Sequence, residues 1–167
     1  MTDASTKSTF VYVTFIRTSP DRLWSALTSP EFTKQYWFGM HCESDWKAGS
    51  SWKLLFADGR VADAGEIVEA DRPRRLVIRW RNEWKQELNA EGYSRCTFEL
   101  EPVVEAGGEV VKLSITHEMD RPGSKLIEAV SGGWPRILSN LKSLLETGHV
   151  VLKPTADGGK GRERIAG

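Results

Sequence analysis

The chain has 167 residues, 40% of them hydrophobic and 28% charged, a size and balance that fit one globular domain with one core. With 23 Lys and Arg against 23 Asp and Glu, no surplus of cations exists to neutralise phosphates or an anionic bilayer, which argues against nucleic-acid and membrane-surface roles. No apolar run approaches the roughly 18 residues a membrane span needs, and the polar stretch Met1 to Ser8, with Asp3 and Lys7, holds no signal-peptide core, so a cytoplasmic location is expected.

The first expected strand runs from Thr9 to Thr18, where Phe10-Val11-Tyr12-Val13-Thr14-Phe15-Ile16 is dense in β-branched and aromatic residues. Ser19-Pro20 opens a helix, with Ser19 as N-cap and Pro20 at the first helical position, and Leu23, Trp24 and Leu27 share its apolar face. Ser29-Pro30 repeats the signal for a second short helix through Phe32 and Gln35. From Gly39 to Gly49 the pattern is mixed, and the part around His41 to Trp46 suits an edge strand. Trp52, Leu54 and Phe56 then alternate, and Asp58-Gly59 turns the chain into a strand from Val61 to about Ala70. Arg72-Pro73 ends that strand, Leu76, Ile78 and Trp80 alternate along the next, and Asn82 to Gly92 reads as a polar loop. Cys96, Phe98 and Leu100 alternate again; after Ala106-Gly107-Gly108, so do Val111, Leu113, Ile115 and His117, completing an antiparallel meander.

Ser124 to Val130 is helix-compatible, and Ser131 to Gly148 reads as a long amphipathic helix. Trp134, Ile137, Leu138, Leu141, Leu144 and Leu145 form its apolar stripe, and Gly148 is placed to cap it. Pro135 and Gly132-Gly133 predict a kink or a restart near Gly133. Residues 153–167, with Ile165 the one aliphatic side chain larger than alanine, read as a disordered tail, and residues 1–8 as a flexible one. The domain is therefore expected over 9–152.

A lone long helix set against a meander must lay its stripe on the sheet. The sheet's inward positions carry Trp52, Leu54, Phe56, Leu76, Ile78, Trp80, Phe98 and Leu113, a broad surface for one stripe. Either the rings meet and fill the space or a small apolar ligand does. Seven tryptophans in all supply the rings. Cys42 and Cys96, far apart and with no CxxC spacing, read as reduced buried thiols.

The order of elements and several local motifs resemble the Activator of Hsp90 ATPase homologue family in its bacterial single-domain form, within the START-like, SRPBCC superfamily. The residues that carry the resemblance are Ser19-Pro20-Asp21-Arg22-Leu23-Trp24-Ser25-Ala26-Leu27-Thr28-Ser29-Pro30-Glu31, Tyr36-Trp37-Phe38-Gly39, and Gly65 with Asp71-Arg72-Pro73-Arg74-Arg75-Leu76 and Trp80. Leu113-Ser114-Ile115-Thr116-His117-Glu118 and Gly132-Gly133-Trp134-Pro135 with Leu138 and Leu141 complete the set, over about Phe10 to Gly148. The resemblance implies an α+β helix-grip fold: a curved antiparallel sheet wrapped around a long C-terminal helix, two short helices after the first strand, and an apolar tunnel inside.

The leading functional expectation is non-catalytic binding of a small hydrophobic or amphipathic ligand, as a carrier or sensor, between sheet and helix. The expected walls are Trp24, Trp37, Trp52, Leu54, Phe56, Trp80, Phe98, Ile115 and Trp134. Period two puts His117 on the inward face at the sheet's end, as a polar handle, an acid-base group of a pocket-shaped cyclase or hydrolase, or a satisfied structural histidine. No GxSxG, HExxH, phosphate loop or dinucleotide fingerprint is present, so no cofactor is expected. His41-Cys42-Glu43 are adjacent and must alternate faces, which argues against a metal site. Arg72, Arg74, Arg75, Arg79 and Arg81 gather on one strand and its preceding loop, beside Glu66, Glu69 and Asp71. They read as a solvated, paired surface or as a docking face for an acidic partner, and the resemblance implies an Hsp90-type chaperone bound through Arg72, Arg74 and Arg75.

Overall fold

The computed structural model describes residues 6–105 and 108–153. Its strands are β1 (Ser8–Ile16), β2 (His41–Ser44), β3 (Ser51–Leu55), β4 (Val61–Asp71), β5 (Arg75–Asn82), β6 (Ser94–Glu105) and β7 (Gly108–Met119). The helices are α1 (Pro20–Thr28), α2 (Pro30–Tyr36), α3 (Gln86–Asn89) and α4 (Lys125–Thr147). The strands form one seven-stranded sheet in the order β1-β7-β6-β5-β4-β3-β2, and every neighbouring pair is antiparallel. The α+β helix-grip architecture expected from the sequence is the one observed. Among the described residues no helix is long and apolar enough to cross a membrane.

The caps act where the sequence places them. Ser19 Oγ accepts from the Arg22 amide at 3.1 Å, Ser124 Oγ accepts from the Ile127 amide at 3.1 Å, and Gly148 closes α4 in the left-handed conformation at φ 85°. Ser8, expected in the N-terminal tail, belongs to β1 instead. Its hydroxyl donates to the Arg121 carbonyl at 2.7 Å and accepts from the Ser124 amide at 2.9 Å, which pins the start of the sheet to the start of α4. Residues 1–5 and 154–167, which hold nearly all of the two expected tails, lie outside the described residues.

Two expectations are corrected. The polar loop from Asn82 to Gly92 contains the short helix α3, because Asn82 Oδ1 accepts from the Trp84 and Lys85 amides at 3.2 and 2.8 Å and so fixes its start. The long helix does not restart at Gly133; it runs unbroken from Lys125 to Thr147 with Pro135 inside. A proline within a helix costs about 3 kcal/mol. Leu126, Ile127, Val130 and Trp134 before it, and Ile137, Leu138 and Leu141 after it, are all buried, and that shared packing outweighs the lost hydrogen bond.

Register sorts the inner face into rows. Cys42, Leu54, Asp63 and Asn82 lie opposite one another across β2, β3, β4 and β5. Beside them runs Trp52, Gly65, Trp80 and Ser94, and beyond that Ile67, Ile78, Cys96, His117 and Phe10. Gly65 is required where it stands: a Cβ there would run into the Arg79 carbonyl. The outer face is polar toward β5, where a row of Glu66, Arg79, Arg95 and Glu118 crosses four strands.

Candidate functional site

α1 and α2 carry the chain from β1 to the far edge of the sheet, so the inner face is covered by α4 on one side and this helix pair on the other. Where the three meet, Leu27, Tyr36, Trp37, Cys42, Trp46, Trp52, Leu76, Ile78, Trp80, Phe98, Trp134 and Leu138 surround a cavity of about 20 Å³. That is room for about one water molecule. The rings themselves fill the space. Trp52 and Trp80 lie 4.4 Å apart between centroids, Trp37 and Trp134 5.5 Å edge to face, Trp80 and Trp134 5.8 Å, and Phe98 and Trp134 5.8 Å. Edge-to-face and offset contacts of this kind each add about 0.5–1.5 kcal/mol beyond area burial.

The rim differs from the walls. Trp46, on the loop between β2 and β3, is the half-buried member of the lining, and its backbone is left-handed at φ 58°. Phe38, next to Trp37 after α2, is left-handed at φ 55°. For a bulky L residue this conformation costs on the order of 1–2 kcal/mol; Trp46 lines the cavity, and Phe38 follows Trp37, which does.

His117 sits behind the tryptophan row, fully buried. The Trp134 indole N–H donates to Nδ1 at 3.1 Å, which makes Nδ1 the acceptor and leaves the proton on Nε2. Nε2 then donates to Ser94 Oγ at 2.8 Å, and Ser94 donates onward to the Trp80 carbonyl at 2.9 Å. Burial pushes the imidazole down to about 3, so it is neutral at physiological pH. Both ring nitrogens are occupied, and in this conformation His117 offers a substrate neither a proton nor a lone pair.

Asp63 presents the opposite case. It is 1% exposed, and neither carboxyl oxygen has a hydrogen-bond partner. Burial lifts its pKa well above the ordinary carboxylate value, while the nearby Trp80 indole and Asn82 amide pull the other way. The indole N–H groups of Trp52 and Trp80 are also buried without a partner of good geometry. Cys42 lies beside this group as a thiol, pushed up to about 12 chiefly by burial.

Of the residues expected to form the site, Trp37, Trp52, Trp80, Phe98 and Trp134 are brought together around the cavity. Trp24 and Ile115 are buried elsewhere in the core. Leu54 stands in the Asp63 row, and Phe56 meets Trp84 edge to face at 5.3 Å, outside the cavity. The expected walls left out Leu27, Tyr36, Cys42, Trp46, Leu76, Ile78 and Leu138 of the lining, and sequence reasoning passed over Asp63. For Asp63 the signal was its parity with Gly65 and Ile67 on β4. His41 turns outward to Glu43 at 3.2 Å while Cys42 is buried, the alternation expected of neighbouring strand residues.

On the outer face the arginines are paired. Arg72 meets Asp21 at 3.6 Å, Arg74 meets Asp71 at 2.7 Å, and Arg75 meets Glu69 and Glu99 at 3.2 and 2.9 Å. Farther along, Arg79 and Arg95 are direct cross-strand neighbours in a surface groove of about 440 Å³. Arg79 and Arg81 stack over Tyr93 at 3.9 and 4.7 Å, and Arg95 has no ion pair among the described residues.

The family model described as Activator of Hsp90 ATPase homolog 1-like protein matches residues 17–146. None of the curated proteins matches the chain. Among solved structures, a Cytophaga hutchinsonii protein is 27% identical over 87% of this chain and 98% of its own, with a TM-score of 0.64. An HSP90 activator from Plasmodium falciparum is 24% identical over 82% of this chain and 95% of its own, with a TM-score of 0.65. The Aha1 dimer from Colwellia psychrerythraea is 17% identical over 84% of this chain and 98% of its own, with a TM-score of 0.62. At these identities the likeness is one of fold.

Proposed function

The chain belongs to the Activator of Hsp90 ATPase homolog 1-like family, and from that premise we propose that it binds a small apolar or amphipathic molecule, without chemistry, in the tryptophan-walled space between sheet and α4. The observation that carries this reading is the position of Trp46. A half-buried indole held in a strained backbone at the rim of an aromatic cavity is suited to swing out, because strain at the rim is released when the loop relaxes. A cavity of about 20 Å³ admits no ligand while Trp46 is in place, so the bound molecule takes the space the indole gives up. Affinity then comes from apolar surface leaving water, about 25 cal/mol per Å2 less the cost of ordering. His117 serves this site indirectly, by holding the Trp134 wall through its Nδ1. Two free, buried thiols suit a reducing compartment, which supports the cytoplasm as the place of action.

Indole is the direct probe. Calorimetry or native mass spectrometry is expected to detect saturable indole binding, tighter in Trp46→Ala, where a ring-sized space stands open. Absence of uptake by both proteins would sink the reading.

A second reading, an acidic protein partner of the Hsp90 chaperone type, is favoured by the groove at Arg79, Arg95 and Tyr93. Arg72, Arg74 and Arg75 already hold acids, so a partner docking there must displace them. Arg95 has nothing to displace among the described residues. In a low-salt pull-down with an Hsp90-type chaperone, Arg95→Glu should weaken capture more than Arg74→Glu with Arg75→Glu; no capture by the wild type ends this reading.

A further inference from the structure

Buried polar groups in folded proteins are almost always hydrogen-bonded, and the exceptions call for an explanation. The inner face follows the rule at His117 and Ser94, and at Thr33, whose hydroxyl accepts from the Cys42 amide at 3.1 Å. The exception is concentrated at one end of the sheet. There the two oxygens of Asp63 and the indole nitrogens of Trp52 and Trp80 all lack partners of good geometry, although the Trp80 indole and the Asn82 amide lie close enough to Asp63 to lower its pKa. Trp52, Trp80 and Cys42 line the cavity; Cys42 stands in the Asp63 row, the Trp52–Gly65–Trp80 row adjoins it, and Asp63 lies behind that lining rather than in it. Among the described residues no Lys or Arg side chain is paired with Asp63.

We infer that Asp63 is the polar end of the ligand pocket, and that the molecule it fits is an aromatic or otherwise flat apolar amine. This rests on the pocket reading above and specifies its ligand class. An ammonium group supplies the donors that two carboxylate oxygens lack, and the faces of Trp52, Trp80 and Trp37 attract a cation lodged among them. A carboxylate ligand brings a buried charge that no cation of the pocket pairs, and a plain aromatic ring leaves Asp63 as it was. Burial favours the neutral carboxyl in the free protein; an arriving ammonium favours the carboxylate, any O–H proton it displaces leaves to solvent, and an ion pair remains. The other titratable groups around Asp63 are Cys42 and Glu83, and the Cys42 thiol does not ionise near neutrality.

The test uses the whole chain and three probes of one ring: tryptamine, 3-methylindole and indole-3-propionate. By calorimetry at neutral pH, tryptamine is expected to bind roughly tenfold tighter than 3-methylindole, the scale of one charge-assisted hydrogen bond, with indole-3-propionate weakest. Asp63→Asn should remove the amine preference and leave 3-methylindole unchanged. Repeating the titrations in buffers of different ionisation heat should reveal more proton release with tryptamine than with 3-methylindole. Equal affinities for the three probes, or a preference that persists in Asp63→Asn, overturns the inference while the pocket survives. If 3-methylindole fails to bind both the wild type and Trp46→Ala, the pocket and the inference fall together. Should Asp63→Asn not fold, the wild-type ranking decides: equal affinities for the three probes overturn the inference.

Discussion

His117 and Asp63 occupy the same inner face, separated by the Trp52–Gly65–Trp80 row, and both are withdrawn from water. One is enclosed by a donor, an acceptor and a relay to a backbone carbonyl; the other has no hydrogen bond to either oxygen. The difference teaches how to tell scaffold from site in a protein without a bound ligand. A buried polar group whose valences are all met is committed to the fold. One whose valences are open is either a liability or a place for something else to bind.

The sharpest way to break the comparison is to remove His117. His117→Ala leaves Trp134 Nε1 and Ser94 Oγ without their partner and opens a hole in the core, so urea unfolding should show a loss of about 3–5 kcal/mol. Asp63→Asn at neutral pH should be neutral or stabilising. Losses of equal size in the two variants would erase the distinction.

The pH profile sharpens it next, because the two groups pull in opposite directions. The folded pKa of His117, about 3, lies below its ordinary 6.5; its contribution is present above pH 6.5 and is lost as pH falls from there. The folded pKa of Asp63 lies well above its ordinary 3.8; its contribution is complete below that value and is lost as pH rises toward the folded pKa. From pH 3.8 upward the two slopes, each up to about 1.4 kcal/mol per pH unit, oppose one another. Stability should therefore climb with pH less steeply in the wild type than in Asp63→Asn.

Smaller effects belong to the rim and the surface. Trp46→Ala should cost about 1–2 kcal/mol, since the ring is only half-buried, and added indole should restore part of the lost Tm. Arg74→Glu, at an exposed pair, should shift stability by less than about 1 kcal/mol.

Strand order and facing were legible because apolar residues recur with period two at Trp52 and Leu54, at Leu76, Ile78 and Trp80, at Cys96, Phe98 and Leu100, and from Val111 to His117; β4, bulged between Ile67 and Glu69, shows no such pattern. The inward placement of His117 followed from that alternation. Its saturation did not, because Ser94 and Trp134 reach it through register and through the seating of α4, neither of which is a local property. Asp63 was hidden by its own chemistry: an aspartate between two alanines reads as solvent-facing, and only its parity with Ile67 says otherwise. Trp46 sits on a left-handed loop, where no periodicity operates. At Pro135 the local rule was sound and lost to tertiary packing. The arginine surface was readable as paired with Glu66, Glu69 and Asp71, whereas the Glu99 contact to Arg75 required the β5–β6 register.

The crowding of indoles has a consequence of another kind. With Trp52 and Trp80 4.4 Å apart, and Trp37 and Trp134 each within 6.3 Å of Trp80, the near-ultraviolet transitions of these rings are electronically coupled. The cluster therefore absorbs and emits as a unit, with split circular-dichroism bands and shared excitation. Any molecule that parts two of the rings rewrites that spectrum without a label.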